Sequence, residues 1–189
     1  MHTSPPDSLE VAVSALRRGG VVVYPTEAVW GLGCDPFREP AVMRLLAIKQ
    51  REVDKGLILI AGSLEQFEGL LDWSQLDATQ YGDVVGTWPG PSTWVVPATA
   101  RVPRWITGNH AGVAVRVSSH PQVAALASDC GFPLVSTSAN FAGKPPAFAR
   151  GQLDAALLAA VNAVAPGETG GNPAPSSIRD AITGEVLRA

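Results

Sequence analysis

The sequence is poor in cysteine and has no long apolar run, and each lack excludes a class of protein. Only Cys34 and Cys130 occur in 189 residues, far apart and without C-x-x-C spacing, so neither a disulfide framework nor a cysteine-based zinc site is indicated. A reducing compartment fits. No window approaches the ~20 consecutive apolar residues that span a bilayer, and Met1 to Ser8 hold no basic stretch leading into an apolar one. The expectation is a cytoplasmic chain that is neither exported nor membrane-bound. A formal net charge of -3 does not suit a protein coated in basic residues for nucleic acid. The tryptophans, Trp30, Trp73, Trp88, Trp94 and Trp105, are scattered without the alternation of an RNA-stacking strand. No G-x-x-x-x-G-K-[ST] is present, so any ATP site is not a P-loop.

What is present reads as one α/β domain over residues 1–189, with 46% hydrophobic residues able to bury one sizeable core. Asp7 to Glu10 has capping-box spacing, and Leu9, Val13 and Leu16 follow at helical intervals until Gly19 and Gly20. Val21 to Tyr24 is a buried strand ended by Pro25, and Glu39-Pro40 opens a helix that finishes at Lys49. Leu57 to Ile60 is a second buried strand, and Ser63, Leu64, Phe67 and Leu71 suggest a capped amphipathic helix. Further strands are expected at Ser92 to Val96, Gly112 to Val117 and Pro133 to Ser138. A helix starts at Ser119 and Pro121, another covers about Gln152 to Val161, and a hairpin turns around Thr183-Gly184. The mixture predicts a sheet that is not purely parallel.

Four segments hold candidate chemistry, each with a structural alternative. Thr26 and Glu27 follow a strand end and can reach a ligand, with Gly31 and Gly33 allowing close backbone approach; any α/β protein offers such strand ends. Lys49, Arg51 and Lys55 could gather polyphosphate oxygens, although compensation of a helix C-terminus explains Lys49 equally well. The polar run Ser136 to Asn140 could place hydroxyls and an amide on phosphate or ribose, or simply cap a strand. Arg116, between Val115 and Val117, is either on a wet face or aimed at an anion such as a small carboxylate. His110 and His120 have no partner at metal-ligand spacing and read as surface or capping residues.

In order and spacing these segments resemble the YrdC-like family, in its short single-domain form, from about Val21 to Arg188. The likeness is carried by Tyr24-Pro25-Thr26-Glu27, the K-x-R motif at Lys49 and Arg51, and Val53-Asp54-Lys55-Gly56. It continues through Trp88-Pro89-Gly90-Pro91, Ala114 to Val117 with His120-Pro121, the S-x-N motif at Ser138 and Asn140, Pro166 to Gly171, and Ser176 to Asp180. The resemblance implies a twisted mixed parallel/antiparallel sheet with flanking helices around a deep concave cavity. It also implies a reaction, the joining of L-threonine, bicarbonate and ATP into L-threonylcarbamoyladenylate for tRNA modification, with Mg2+ accompanying ATP on residues it does not identify. By position it makes Lys49, Arg51, Lys55, Ser138, Asn140 and Arg188 nucleotide-binding, Lys49 and Arg51 also catalytic, and Thr26, Arg116 and Ser138 threonine-binding. Its partner expectations are hand-over to threonylcarbamoyl-transferase proteins and weak tRNA binding. Ala28, Lys55 and Ile60 depart from the longer two-domain relatives, which have Thr, Asn and His there and carry a C-terminal extension over the cavity. Two other functions compete: an RNA-binding module, disfavoured by charge, and carbamoyl transfer in hydrogenase maturation, which needs acylphosphatase-like and zinc-finger regions not seen here.

Overall fold

A computed structural model describes residues 8–188; the Asp7 end of the anticipated capping box lies outside them. In chain order the helices are α1 (Leu9–Arg17), α2 (Glu39–Lys49), α3 (Ala78–Val85), α4 (Arg104–Thr107), α5 (Pro121–Cys130) and α6 (Ala155–Ala160). The strands are β1 (Val22–Pro25), β2 (Trp30–Gly33), β3 (Ile58–Ala61), β4 (Ser92–Pro97), β5 (Gly112–Val117), β6 (Leu134–Ser138), β7 (Ala163–Val164), β8 (Ser177–Asp180) and β9 (Val186–Arg188). They form a nine-stranded sheet in the order β7-β1-β2-β6-β3-β5-β4-β8-β9. The pairs β1/β7, β3/β5 and β4/β8 are parallel, whereas β1/β2, β2/β6 and β4/β5 are among the antiparallel ones. The mixed sheet foreseen from the sequence is thus present.

Successive strand residues face opposite sides of a sheet, and the apolar residues here divide accordingly. Val23, Leu32, Leu59, Val96, Val115 and Val135 join the α2 residues Val42, Leu45 and Leu46 in one large core. Val22, Tyr24, Ile60 and Leu134 meet the inner faces of α1 and α5, Leu16, Val123 and Leu126, in a second core on the other side. Burial on both faces explains why β1 and β3 read as unbroken apolar runs rather than alternating ones. The α1/α5 layer reaches only part of the second face. Gly31, Ile58, Thr93, Val95, Ala114 and Ser136, which continue that face, line an open cavity instead.

Several local expectations are revised. Ser63 to Leu71 is not an amphipathic helix but one 3-10 turn, Leu64–Phe67; Gly69 has φ 74, and Leu71 leaves to bridge Ala98. The helix drawn from Gln152 shortens to Ala155–Ala160, because Asp154 accepts bonds from the amides of Ala156 and Leu157 and starts a new N-terminus there. His120, not Ser119, caps α5: its Nδ1 accepts from Gln122 N at 3.3 Å. Its Nε2–H then donates to the Glu168 carbonyl at 2.9 Å, and the ring is buried rather than at the surface. Strand β2 was not foreseen, since Trp-Gly-Leu-Gly has low intrinsic β preference. Its glycines are required by space: a Cβ on Gly33 would meet Tyr24 Cε1 at 2.8 Å and run into the Val135 carbonyl.

Gly33→Ala is expected to destabilise the fold by about 1–3 kcal/mol, the cost of forcing atoms into a filled interior. Gly82→Ala, in α3 with nothing within 4 Å of the new methyl, should stabilise by about 0.5–1 kcal/mol. Urea unfolding of both variants checks the pair, and equal midpoints would contradict the packing described.

Candidate functional site

The uncovered part of the sheet is the floor of a cavity of about 1150 Å³. The eight site residues that the resemblance assigns all reach it: Thr26 just past β1, Lys49 at the end of α2, Arg51 and Lys55 in the segment after it, and Arg116, Ser138, Asn140 and Arg188 from β5, the end of β6 and β9. Segments far apart in the chain meet there because β6 lies between β2 and β3, and β4 brings β8 and β9 to the other side. Among the described residues five cations, Lys49, Arg51, Lys55, Arg116 and Arg188, line the cavity against a single carboxylate, Asp180. Asp180 is already engaged, its Oδ1 accepting from the amides of Ile182 and Thr183 at 2.8 and 2.9 Å. A negatively charged chain therefore encloses a positively charged hollow.

Lys49 is the last residue of α2 and is 6% exposed. Its Nζ donates to Ser138 O at 2.7 Å, to Asn140 Oδ1 at 2.9 Å and to the Asn140 carbonyl. The ammonium thus stitches the S-x-N turn to the helix end, which helix-terminus compensation alone does not explain. Burial, with the Arg51 charge nearby, pushes its pKa down from 10.5 to about 8. The Asn140 amide is spent inside the same turn, since Nδ2 donates to Phe141 O at 3.2 Å and to Lys144 O. Arg51 donates to Gly56 O at 3.0 Å, and Lys55, more exposed, pairs with Glu52 at 3.5 Å.

Arg116 is 6% exposed and pairs with Glu27 at 3.3 Å. No hydrogen bond from its guanidinium to a described residue is formed, and Nε is buried without a partner. Burial lowers its pKa while the Glu27 charge raises it. Glu27 was read as able to reach a ligand, but it lies behind Arg116 and does not line the cavity. Thr26 Oγ1 donates to Val29 O at 2.7 Å, leaving its lone pairs for a ligand donor. Arg188 donates to Ser176 O at 2.9 Å, and burial followed by the Arg116 and Arg51 charges lowers its pKa. Ser136, at the start of the polar run read as a phosphate or ribose contact, lines the cavity too, and Thr93, whose hydroxyl shares a 2.9 Å hydrogen bond with Ser176, is a lining group given no role from sequence. Strand alternation with Val95 was the signal that could have found Thr93.

Comparisons with known proteins agree on the relationship. Residues 14–189 match the profile of the Sua5/YciO/YrdC family, described as telomere recombination. A threonylcarbamoyl-AMP synthase of Xanthomonas campestris pv. campestris strain B100 is 57% identical over 187 residues, covering 99% of this chain and 98% of that one. The structure of H234A/Y235A Sua5 from P. abyssi superposes with a TM-score of 0.86 at 30% identity, covering 94% of this chain and 54% of that chain. P. abyssi Sua5 complexed with L-threonine gives a TM-score of 0.79 at 31% identity, covering 91% and 50%. The chain spans about half the length of these Sua5 proteins.

If Lys49 is held as described, the 13C shift of its ε-methylene should titrate near pH 8 rather than at the ordinary lysine value of about 10.4. Replacing Arg51 by Gln removes a like charge and should move that midpoint upward. An unperturbed midpoint in both proteins would contradict the buried setting.

Proposed function

Because the chain belongs to the Sua5/YciO/YrdC family, we propose that it is a threonylcarbamoyl-AMP synthase, a nucleotidyltransferase that makes L-threonylcarbamoyladenylate and pyrophosphate from L-threonine, bicarbonate and ATP. This reaction is the first step of N6-threonylcarbamoyladenosine formation in tRNAs reading codons that begin with adenine. The observation that carries this reading is the cation-lined cavity, in a chain 57% identical over nearly its whole length to an enzyme of that name.

The chemistry asks for positioning more than for a nucleophilic side chain. The threonine amine adds to the bicarbonate carbon and water leaves, giving an N-carboxy-threonine. Its new carboxylate oxygen attacks the α-phosphorus of ATP, and the bond from that phosphorus to the bridging oxygen of pyrophosphate breaks. Two anions must be held in line while charge grows on phosphoryl oxygens, which favours fixed cations in a partly enclosed site.

In this reading Lys49, Arg51, Lys55, Ser138, Asn140 and Arg188 bind the nucleotide, with Lys49 and Arg51 facing the reacting phosphate. Lys49 and Asn140 hold the S-x-N turn in shape, and Arg51 and Lys55 offer charge to the triphosphate. Arg116 takes the threonine carboxylate, with Thr26 and the Ser138 hydroxyl beside it. Magnesium would enter as part of the nucleotide substrate and would neutralise charge on its phosphates, with no protein ligand assigned to it. The cytoplasm, hand-over to the threonylcarbamoyl-transferase proteins of tRNA modification and weak tRNA contact belong to the same proposal. Among the described residues no helix is long and apolar enough to cross a membrane.

Pyrophosphate release from ATP should stop when threonine or bicarbonate is omitted; release that ignores both omissions refutes the activity. Lys49→Ala and Arg51→Ala should each lower turnover by about 10²-fold, the effect of removing one preorganised electrostatic contact. Arg116→Lys keeps the charge but loses the planar fork. It should raise the threonine KM by roughly tenfold or more, equivalent to about 1.5–3 kcal/mol for a charged hydrogen bond, and leave the ATP KM near the parent value.

A further inference from the structure

We propose that Glu27 is a positioning residue for threonine capture, holding the Arg116 guanidinium aimed into the cavity without touching substrate. The inference rests on the assignment of Arg116 to the threonine carboxylate.

The geometry separates two duties of the Glu27 carboxylate. Oε1 is anchored, accepting from Ser118 Oγ at 2.8 Å and from Ser119 N at 3.0 Å. Oε2 lies 3.3 Å from Arg116 Nη1 but is buried, and neither it nor the buried Arg116 Nε forms a hydrogen bond to a described residue. A carboxylate that served only to bury an arginine would be expected to engage the fork with two parallel bonds. Here it supplies the counter-charge and leaves the donors unspent. An isolated buried guanidinium is costly, so some counter-ion is required for Arg116 to wait at the cavity floor before a ligand arrives.

The anchors come from the segment that carries Arg116. Ser118 lies two residues beyond it, just past the end of β5, and a spacing of two keeps the same face of an extended segment. Its amide donates to Ala61 O at 2.9 Å, and its hydroxyl accepts from His120 N at 3.1 Å while donating to Glu27. From the other side the Glu27 carbonyl accepts from Asn172 N at 2.9 Å. The carboxylate is thus fixed relative to β5 before binding, so its position defines that of the guanidinium. Preorganisation of this kind lowers the cost of capturing a carboxylate.

Glu27→Gln keeps the shape and an oxygen for Ser118 and Ser119 but removes the charge. It should raise the threonine KM by about tenfold, as loss of a charge-assisted contact does, with the ATP KM near the parent value and the unfolding midpoint lowered, because the buried guanidinium loses its counter-ion. Threonine alone should also raise the melting temperature less than it does in the parent. In an Arg116→Lys background the added effect of Glu27→Gln should shrink to within about twofold, because residues acting through one another are not additive. Ser118→Ala, which loosens the anchor and keeps the ion pair, should give a smaller rise in the same constant, and it decides the matter if Glu27→Gln does not fold. Equal changes in both Michaelis constants, effects that multiply across the double variant, or an unchanged threonine constant in both the Glu27 and Ser118 variants would overturn the proposal. If Arg116→Lys raises the threonine KM and Glu27→Gln does not, only the role of Glu27 is lost. If neither does, the threonine assignment of Arg116 is lost with it.

Discussion

The arrangement depends on a mismatch of widths, because the nine-stranded sheet is broader than the helices that cover one of its faces. The α2 side is continuous core, from Val23 and Leu32 to Val96 and Val115. The opposite side is closed by α1 and α5 over β7, β1, β3 and the start of β6, where Ala163, Tyr24, Ile60 and Leu134 are buried. Beyond that border the same face is open, and among Ile58, Val95 and Ala114 it carries Ser136, Thr93 and Arg116. The cavity is the uncovered remainder of a sheet whose other face supplies the folding energy, so side chains there are selected for chemistry while the backbone stays rigid.

That placement also sets the electrostatics. Arg116 and Lys49 are each 6% exposed, and each cation is held by a different device. Lys49 spends its hydrogens on oxygens of the S-x-N turn. Arg116 has a counter-ion but no hydrogen bond to a described residue. The first arrangement gives shape to the nucleotide end of the cavity, and the second leaves a fork ready for a small carboxylate. A lysine and an arginine, equally buried, are thus fixed by different means, the ammonium by hydrogen bonds to the turn it shapes and the guanidinium by a counter-ion that leaves its fork unspent.

The motifs were legible because they are local in sequence: K-x-R closes a helix, S-x-N closes a strand, and Arg116 stands between valines where a solvated charge is awkward. Strands β1, β3, β5 and β6 were legible for the same reason, as β-branched runs bounded by Pro, Gly or polar residues. Strand β2 was hidden, since Gly31 and Gly33 are present for the close approach of Tyr24 and Val135, contacts made by other strands. Ser63 to Leu71 misled because helical spacing of apolar residues does not distinguish a helix from a turn followed by a bridge to a distant segment.

The sequence by itself determined helices α1, α2 and α5, strands β1 and β3 to β6, the mixed character of the sheet, and which side chains carry charge or hydroxyls at strand and helix ends; through resemblance it also pointed to the family. Tertiary structure alone decided that Glu27 stands behind Arg116 rather than in the cavity. It likewise decided that His120 is a buried cap tied to Glu168 and that Lys49 is enclosed by residues 89 to 91 positions away. The physical reason is range: capping and periodicity act over a few residues, whereas burial, ion pairing and desolvation depend on which distant strands are neighbours, and that order is a property of the whole sheet.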